Sequence, residues 1–96
     1  MRVELPFHLR TLAGIAGEVQ LESDPVSLGD VLDELEARYP MLCGTLRAHV
    51  DKRRRPMVRY FACRQDITHA SAEDPLPAAV RRGEEPLLIV GAIAGG

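Results

Sequence analysis

The chain closes on Ala94-Gly95-Gly96, directly behind its strongest buried-strand pattern, Leu87-Leu88-Ile89-Val90. A terminal carboxylate in this position is a candidate reacting group. It is inert until activated, most simply as an acyl-adenylate, and activation requires it to reach a nucleotide held by another protein. Glycine lacks a Cβ, so Gly95 and Gly96 can thread a channel in which any side chain would clash. The segment Gly91, Ala92, Ile93, Ala94, Gly95, Gly96 reaches roughly 20 Å when extended. A frayed end without function is the plainer reading, because termini are commonly disordered. At ordinary glycine usage two terminal glycines arise by chance in roughly 0.5% of chains, which favours the functional reading.

Other chemistry-bearing residues form no comparable pattern. His8, His49 and His69 are far apart and have neither H-x-x-x-H nor Cys-His spacing, so surface histidines are expected and no metal site. Cys43 and Cys63 lack C-x-x-C spacing and read as reduced thiols. Cys63 lies at a strand end and is expected to be a small core hydrophobe; a reactive thiol meeting a partner is the other reading. Lys52-Arg53-Arg54-Arg55 reads as a solvated loop, with no interleaved aromatic residue to stack on bases. There is no P-loop, no G-x-G-x-x-G, no Ser-His-Asp set and no paired carboxylates, so no cofactor bound by this chain is expected.

Composition narrows the class. The 96 residues are 46% hydrophobic and 27% charged, which suits one small domain over 1–96 with a modest core. Twelve basic against 14 acidic residues give a net charge of −2, so bulk nucleic-acid binding is not indicated. The apolar runs are too short to span a bilayer. Met1-Arg2-Val3-Glu4-Leu5 runs straight into a strand pattern and leaves no room for a signal peptide. The expected compartment is the cytoplasm.

The elements that must position the tail follow from periodicity. Val3, Leu5, Phe7 and Leu9 alternate with polar residues, predicting a half-buried strand over 2–10, interrupted on one side by Pro6. Gly14 and Gly17 mark a long turn, and Val19 and Leu21 a returning strand. Ser27 is a helix N-cap with Asp30 as its capping-box acid. Leu28, Val31, Leu32 and Leu35 then form one stripe of a helix over 28–38, with Asp33, Glu34 and Glu36 facing outward. Leu42, Leu46 and Val50 suggest a short helical turn. Met57 to Cys63 predicts a strand, Asp66-Ile67 another extended piece, and Leu76 to Val80 a helical turn. The run 87–90 is apolar on successive residues, as expected of a strand covered on both faces. The sum is an α+β domain with a mixed four- to five-stranded sheet packed against one main helix.

These residues resemble a family, the ubiquitin-like β-grasp sulfur carriers of the MoaD/ThiS group. The likeness covers nearly the whole chain: Phe7 and Leu9 with Leu12-Ala13-Gly14; Ser27-Leu28-Gly29-Asp30-Val31-Leu32 with Leu35 and Tyr39-Pro40; Arg59-Tyr60-Phe61; and Pro75-Leu76-Pro77 with Ala79-Val80. Its specific part is the Gly83-Glu84 turn, the buried strand and the terminal Gly-Gly at that spacing. Two departures stand out: Cys63-Arg64 where the family often has Asn-Gly, and Gly91 where it often has proline before the tail.

The resemblance implies a carrier rather than an enzyme, with 91–96 a flexible tail. A partner adenylating enzyme would use ATP and magnesium to adenylate Gly96. A sulfur donor would convert the adenylate to a thiocarboxylate, and an acceptor synthase would take the sulfur. Two alternatives stay open: a ubiquitin-like modifier joined through Gly96 to lysines, and an interaction module that is never activated. Molybdopterin, cysteine and thiamin thiazole synthesis all use such carriers. The long stretch between helix and third strand suits a molybdopterin-type or cysteine-type carrier better than a thiamin-type one.

Overall fold

The computed structural model describes residues 1–48 and 50–91. His49 and the expected tail residues Ala92, Ile93, Ala94, Gly95 and Gly96 lie outside them.

Five strands form one mixed sheet: β1 (Arg2–Glu4), β2 (Val19–Gln20), β3 (Val58–Ala62), β4 (Gln65–Asp66) and β5 (Leu87–Gly91), in the order β2-β1-β5-β3-β4. The last strand is therefore the central one. It runs parallel to β1, with Val3 opposite Leu87 and Glu4 opposite Leu88. It runs antiparallel to β3, with Phe61 opposite Leu88 and Val58 opposite Gly91. The antiparallel pairing of β1 with β2 completes the hairpin expected near the N-terminus.

The main helix, α2 (Leu28–Arg38), has the bounds its sequence pattern predicts. Ser27 Oγ accepts the Asp30 amide and Asp30 Oδ2 accepts the Ser27 amide, so two otherwise unpaired helix donors are satisfied reciprocally. Leu28, Val31, Leu32 and Leu35 are buried in a core of Val, Leu and Ile side chains, with Tyr60 its aromatic member. A short helix, α3 (Ala78–Arg81), precedes β5.

The segment expected to extend as a strand over 2–10 does not. The strand ends at Glu4 and the chain turns into a helix, α1 (Phe7–Ala13). Pro6 is the cause: its φ of −59° is preset for a helix entry, and its carbonyl accepts the amides of Leu9 and Arg10, both at 3.0 Å. Gly14, at φ 70°, closes the helix in the left-handed conformation. Leu5 and Leu9 then share a buried side at helical spacing. Phe7, expected inside, is 74% exposed.

The final strand also departs from its expected burial. Leu87 and Ile89 are buried, whereas Leu88 is half-buried and Val90 is 49% exposed. The strand's consecutive apolar residues therefore include two on a face that the helices leave open.

Between α2 and β3 the chain makes a 3-10 turn (Pro40–Leu42) and a long loop. Leu42 and Leu46 are buried anchors, but Val50 stands 94% exposed, so the expected helical continuation stops short of it. Glu36, expected on the wet side of α2, is buried against this loop.

Candidate functional site

Gly91, the last residue of β5, is where the described chain meets the expected tail. Its strand is held on one flank by β3 as far as Val58, opposite Gly91. On the other flank, pairing with β1 reaches only Leu88, because β1 gives way to Pro6 and α1. The first turn of α1 takes the place of a neighbouring strand. A cleft of about 410 Å³ opens between the two, lined by Glu4, Leu5, Pro6, Phe7, His8 and Arg10 on one side and by Leu88 to Gly91 on the other.

The cleft is largely apolar at its surface. Phe7 and Val90 are exposed and Leu88 is half-buried. Large side chains left this open around one strand end are the usual mark of a protein-binding surface. The guanidinium carbon of Arg10 lies 5.6 Å from the Phe7 ring centroid, one helical turn along α1, and holds a positive charge beside the ring. Phe7 is the functional candidate missed in the sequence. Pro6 before Phe7, with Gly14 after Ala13, would have revealed the helix that turns it outward.

Of the expected site residues, Gly91 is placed at the cleft. Gly96, expected to be the reacting residue, and its neighbours Ala92 to Gly95 lie outside the described residues. His8 is half-buried in the cleft and His69 is exposed elsewhere. Among the described residues no group of three or more His, Cys, Asp and Glu side chains is disposed to hold a metal. Nor, among the described residues, is any helix long and apolar enough to cross a membrane.

Cys63 is exposed rather than in the core. It forms, with Arg64, the two-residue turn joining β3 to β4, where Ala62 pairs with Gln65. Both turn residues have positive φ, 50° and 67°. That is the geometry Asn-Gly adopts readily, and it turns the thiol out of the sheet.

The basic loop is more than a solvated surface. Arg54 Nη1 donates to the carbonyls of Arg55 (3.0 Å), Pro56 (3.3 Å) and Val58 (2.9 Å). Arg55 Nε donates to Gly44 O at 2.8 Å, and Lys52 Nζ lies 3.5 Å from Glu36 Oε1. These charges satisfy carbonyls and a buried acid within the fold.

No family model matches the chain, and no curated protein matches it. Solved structures do. SAMP1 from Haloferax volcanii is similar over 100% of this chain and 98% of its own, with 20% identity and a TM-score of 0.69. The CysO component of the BexX/CysO complex from Amycolatopsis orientalis is similar over 99% of this chain and 98% of its own, with 20% identity and a TM-score of 0.74. The fold is the ubiquitin-like β-grasp. The fold that the sequence resemblance implied is therefore the fold of the described residues, with β5 at the centre of the sheet.

Proposed function

We propose that this chain is a sulfur carrier whose Gly96 carboxylate is adenylated by a partner enzyme and then converted to a thiocarboxylate. One observation carries the reading: the central strand of a β-grasp sheet ends at an apolar cleft, and the sequence beyond it ends in Gly95-Gly96. A rigid body with a sticky face docks, and a slender end delivers the carboxylate.

In this mechanism a carboxylate oxygen of Gly96 attacks the α-phosphate of ATP and pyrophosphate leaves. The terminal sulfur of a donor persulfide then displaces AMP from the acyl carbon. A second thiol of the donor system cleaves the resulting acyl disulfide, leaving the thiocarboxylate here and a disulfide on the donor. ATP and magnesium belong to the partner; this chain supplies the docking face and the reacting end. Phe7, Leu88 and Val90 are the side chains assigned to that face. The similar CysO was crystallised in a complex with BexX, which supports reading such a body as one that acts with a partner protein. The loop between α2 and β3 favours a molybdopterin-type or cysteine-type acceptor.

The test is mass spectrometry of the protein taken from its own cells. A sulfur-for-oxygen mass change at the C-terminal peptide is expected. Branched peptides carrying Gly-Gly on lysines would instead make it a protein modifier. An unaltered terminus, with and without a cognate activating enzyme and ATP, would leave an interaction module and overturn the proposal.

A further inference from the structure

We propose that the loop over 47–55 is a cationic docking arm for the adenylating partner, and that the surface it meets on that partner is acidic. The inference rests on the reading that a partner enzyme activates this chain.

Charge is unevenly spread along the chain. Residues 47–55 hold five of the twelve basic residues and, in Asp51, one of the fourteen acidic ones. Little of that positive charge is cancelled inside the fold. Arg54 and Arg55 donate to carbonyls, which satisfy hydrogen bonds without neutralising a cation. Arg47 and Lys52 share the Glu36 carboxylate, and Arg47 also meets Asp33. Arg53 is exposed, and among the described residues its guanidinium has no ion pair; Asp51 Oδ1 accepts its backbone amide at 3.1 Å. In a chain whose net charge is −2, the result is a positive patch on an acidic background.

The patch has a fixed frame. Ala48 N donates to Arg53 O at 2.6 Å and Arg55 N to Leu46 O at 3.0 Å, and Arg47 faces Arg54 as in an antiparallel hairpin. Buried Arg47 pairs with buried Glu36 and ties the loop to α2. A buried pair adds little stability over apolar residues of like volume, so its value here lies in fixing where the loop sits. Cations held on such a frame lose less freedom on binding than cations on a loose strand of chain. Val50, 94% exposed on the same loop, adds an apolar contact beside them.

Its place in the fold selects the partner. Arg54 Nη1 donates to Val58 O at 2.9 Å, Val58 N donates to Arg55 O at 3.1 Å, and Val58 stands opposite Gly91. The base of the arm is therefore one strand spacing, about 4.8 Å, from the last residue of β5, at the end of the sheet where the cleft opens. A protein that covers the cleft has the arm within reach. Guanidinium groups match carboxylates in fork geometry, and charges at the edge of an apolar contact speed and orient the encounter. Nucleic acid fits less well, because 47–55 carries no aromatic side chain to stack on bases.

The experiment is pyrophosphate exchange by a cognate adenylating enzyme on the full chain, at about 0.05 M and about 0.5 M salt, giving kcat and the KM for the carrier. Arg53→Glu is expected to raise KM about tenfold at low salt with kcat held within about twofold, and to cost about twofold or less at high salt, where the charges are screened. Arg53→Lys, which keeps the charge, should stay within about threefold of the parent, and Val50→Ser should raise KM about threefold at both salts. Arg64→Glu makes the same change of net charge at the far end of β3, and should leave KM within about twofold. An unchanged KM in Arg53→Glu at low salt, or an equal rise in Arg64→Glu, would overturn the proposal. If the parent itself is never activated, the functional reading fails, and the arm is judged alone by titrating the isotope-labelled chain with a short oligoglutamate peptide and with an oligonucleotide of equal charge. Amide shifts confined to 50–55 with the peptide, and lost in Arg53→Glu, would uphold an acidic protein surface as its target. Absent shifts, or tighter binding of the oligonucleotide there, would overturn it.

Discussion

Arg47 grips Glu36 with two parallel hydrogen bonds: Nε donates to Oε2 at 3.0 Å and Nη2 to Oε1 at 2.9 Å. Both side chains are buried, and Arg47 also reaches Asp33 on the same helix. This fork clamps the long loop, through Arg47 and Leu46, onto α2. The Arg47 hydrogen bonds hold the Glu36 carboxyl below its ordinary value of 4.5, against burial, which pushes it up; Lys52 adds a smaller lowering.

Because the folded-state value is depressed, the stabilisation is present above the ordinary carboxylate range and is lost as pH falls through the folded value. Glu36→Gln should cost about 2 kcal/mol at neutral pH, leaving a buried guanidinium with Asp33 as its charged partner on α2. It should also flatten the acid limb of the stability curve. Urea midpoints measured from neutral to acid pH check both, and a variant that loses stability in acid as steeply as the parent would contradict the assignment.

Tyr60 offers a second titration. Its ring is buried, its hydroxyl has no hydrogen-bond partner among the described residues, and burial pushes its pKa up from 10.0 to about 12. The folded value is raised, so stability is full below pH 10 and declines as pH rises towards about 12. Tyr60→Phe removes a buried polar atom with little change of shape. It should be neutral or stabilising by about 1 kcal/mol at neutral pH, and should lessen the alkaline loss. Chemical denaturation at neutral and alkaline pH reads both. A large destabilisation would show that the hydroxyl is paired.

The Cys63-Arg64 turn holds two side-chain-bearing residues in the left-handed region. Cys63→Asn with Arg64→Gly supplies residues that accept those angles. The double variant should gain about 1–2 kcal/mol, seen as a higher urea midpoint with an unchanged slope. A loss of stability would mean that the side chains at the turn make compensating contacts.

Much of the fold was legible because one pattern dominated locally. Ser27 with Asp30, followed by the stripe Leu28, Val31, Leu32 and Leu35, admits only a helix, and β5 reads as a strand from its apolar run. The error at 7–13 has a physical origin. Leu5 and Leu9 fit a period of two and a helical spacing of four equally well, so Pro6 and Gly14, taken as a strand defect and a turn glycine, were the deciding residues. Phe7 changed sides with that choice, and one wall of the cleft with it. Glu36 and Arg47 are distant enough in sequence that no local periodicity joins them. Cys63 is turned outward by positive φ, a property of the turn rather than of the residue. The Gly-Gly end is read from the sequence alone, since Ala92 to Gly96 lie outside the described residues.

The most direct measurement concerns the proposed reacting end. Adding one Ala after Gly96 moves the carboxylate by roughly 3.5 Å and adds a methyl group to the end that the proposed mechanism threads into the partner. Gly95→Val keeps the length and adds a β-branched side chain that restricts the backbone. Both changes lie beyond β5, so the melting temperature should hardly move. With a cognate adenylating enzyme and ATP, pyrophosphate exchange should persist in the parent and collapse in both variants. Exchange by the extended protein at the parental rate, with its added Ala still in place, would contradict the claim that the Gly96 carboxylate is the group activated.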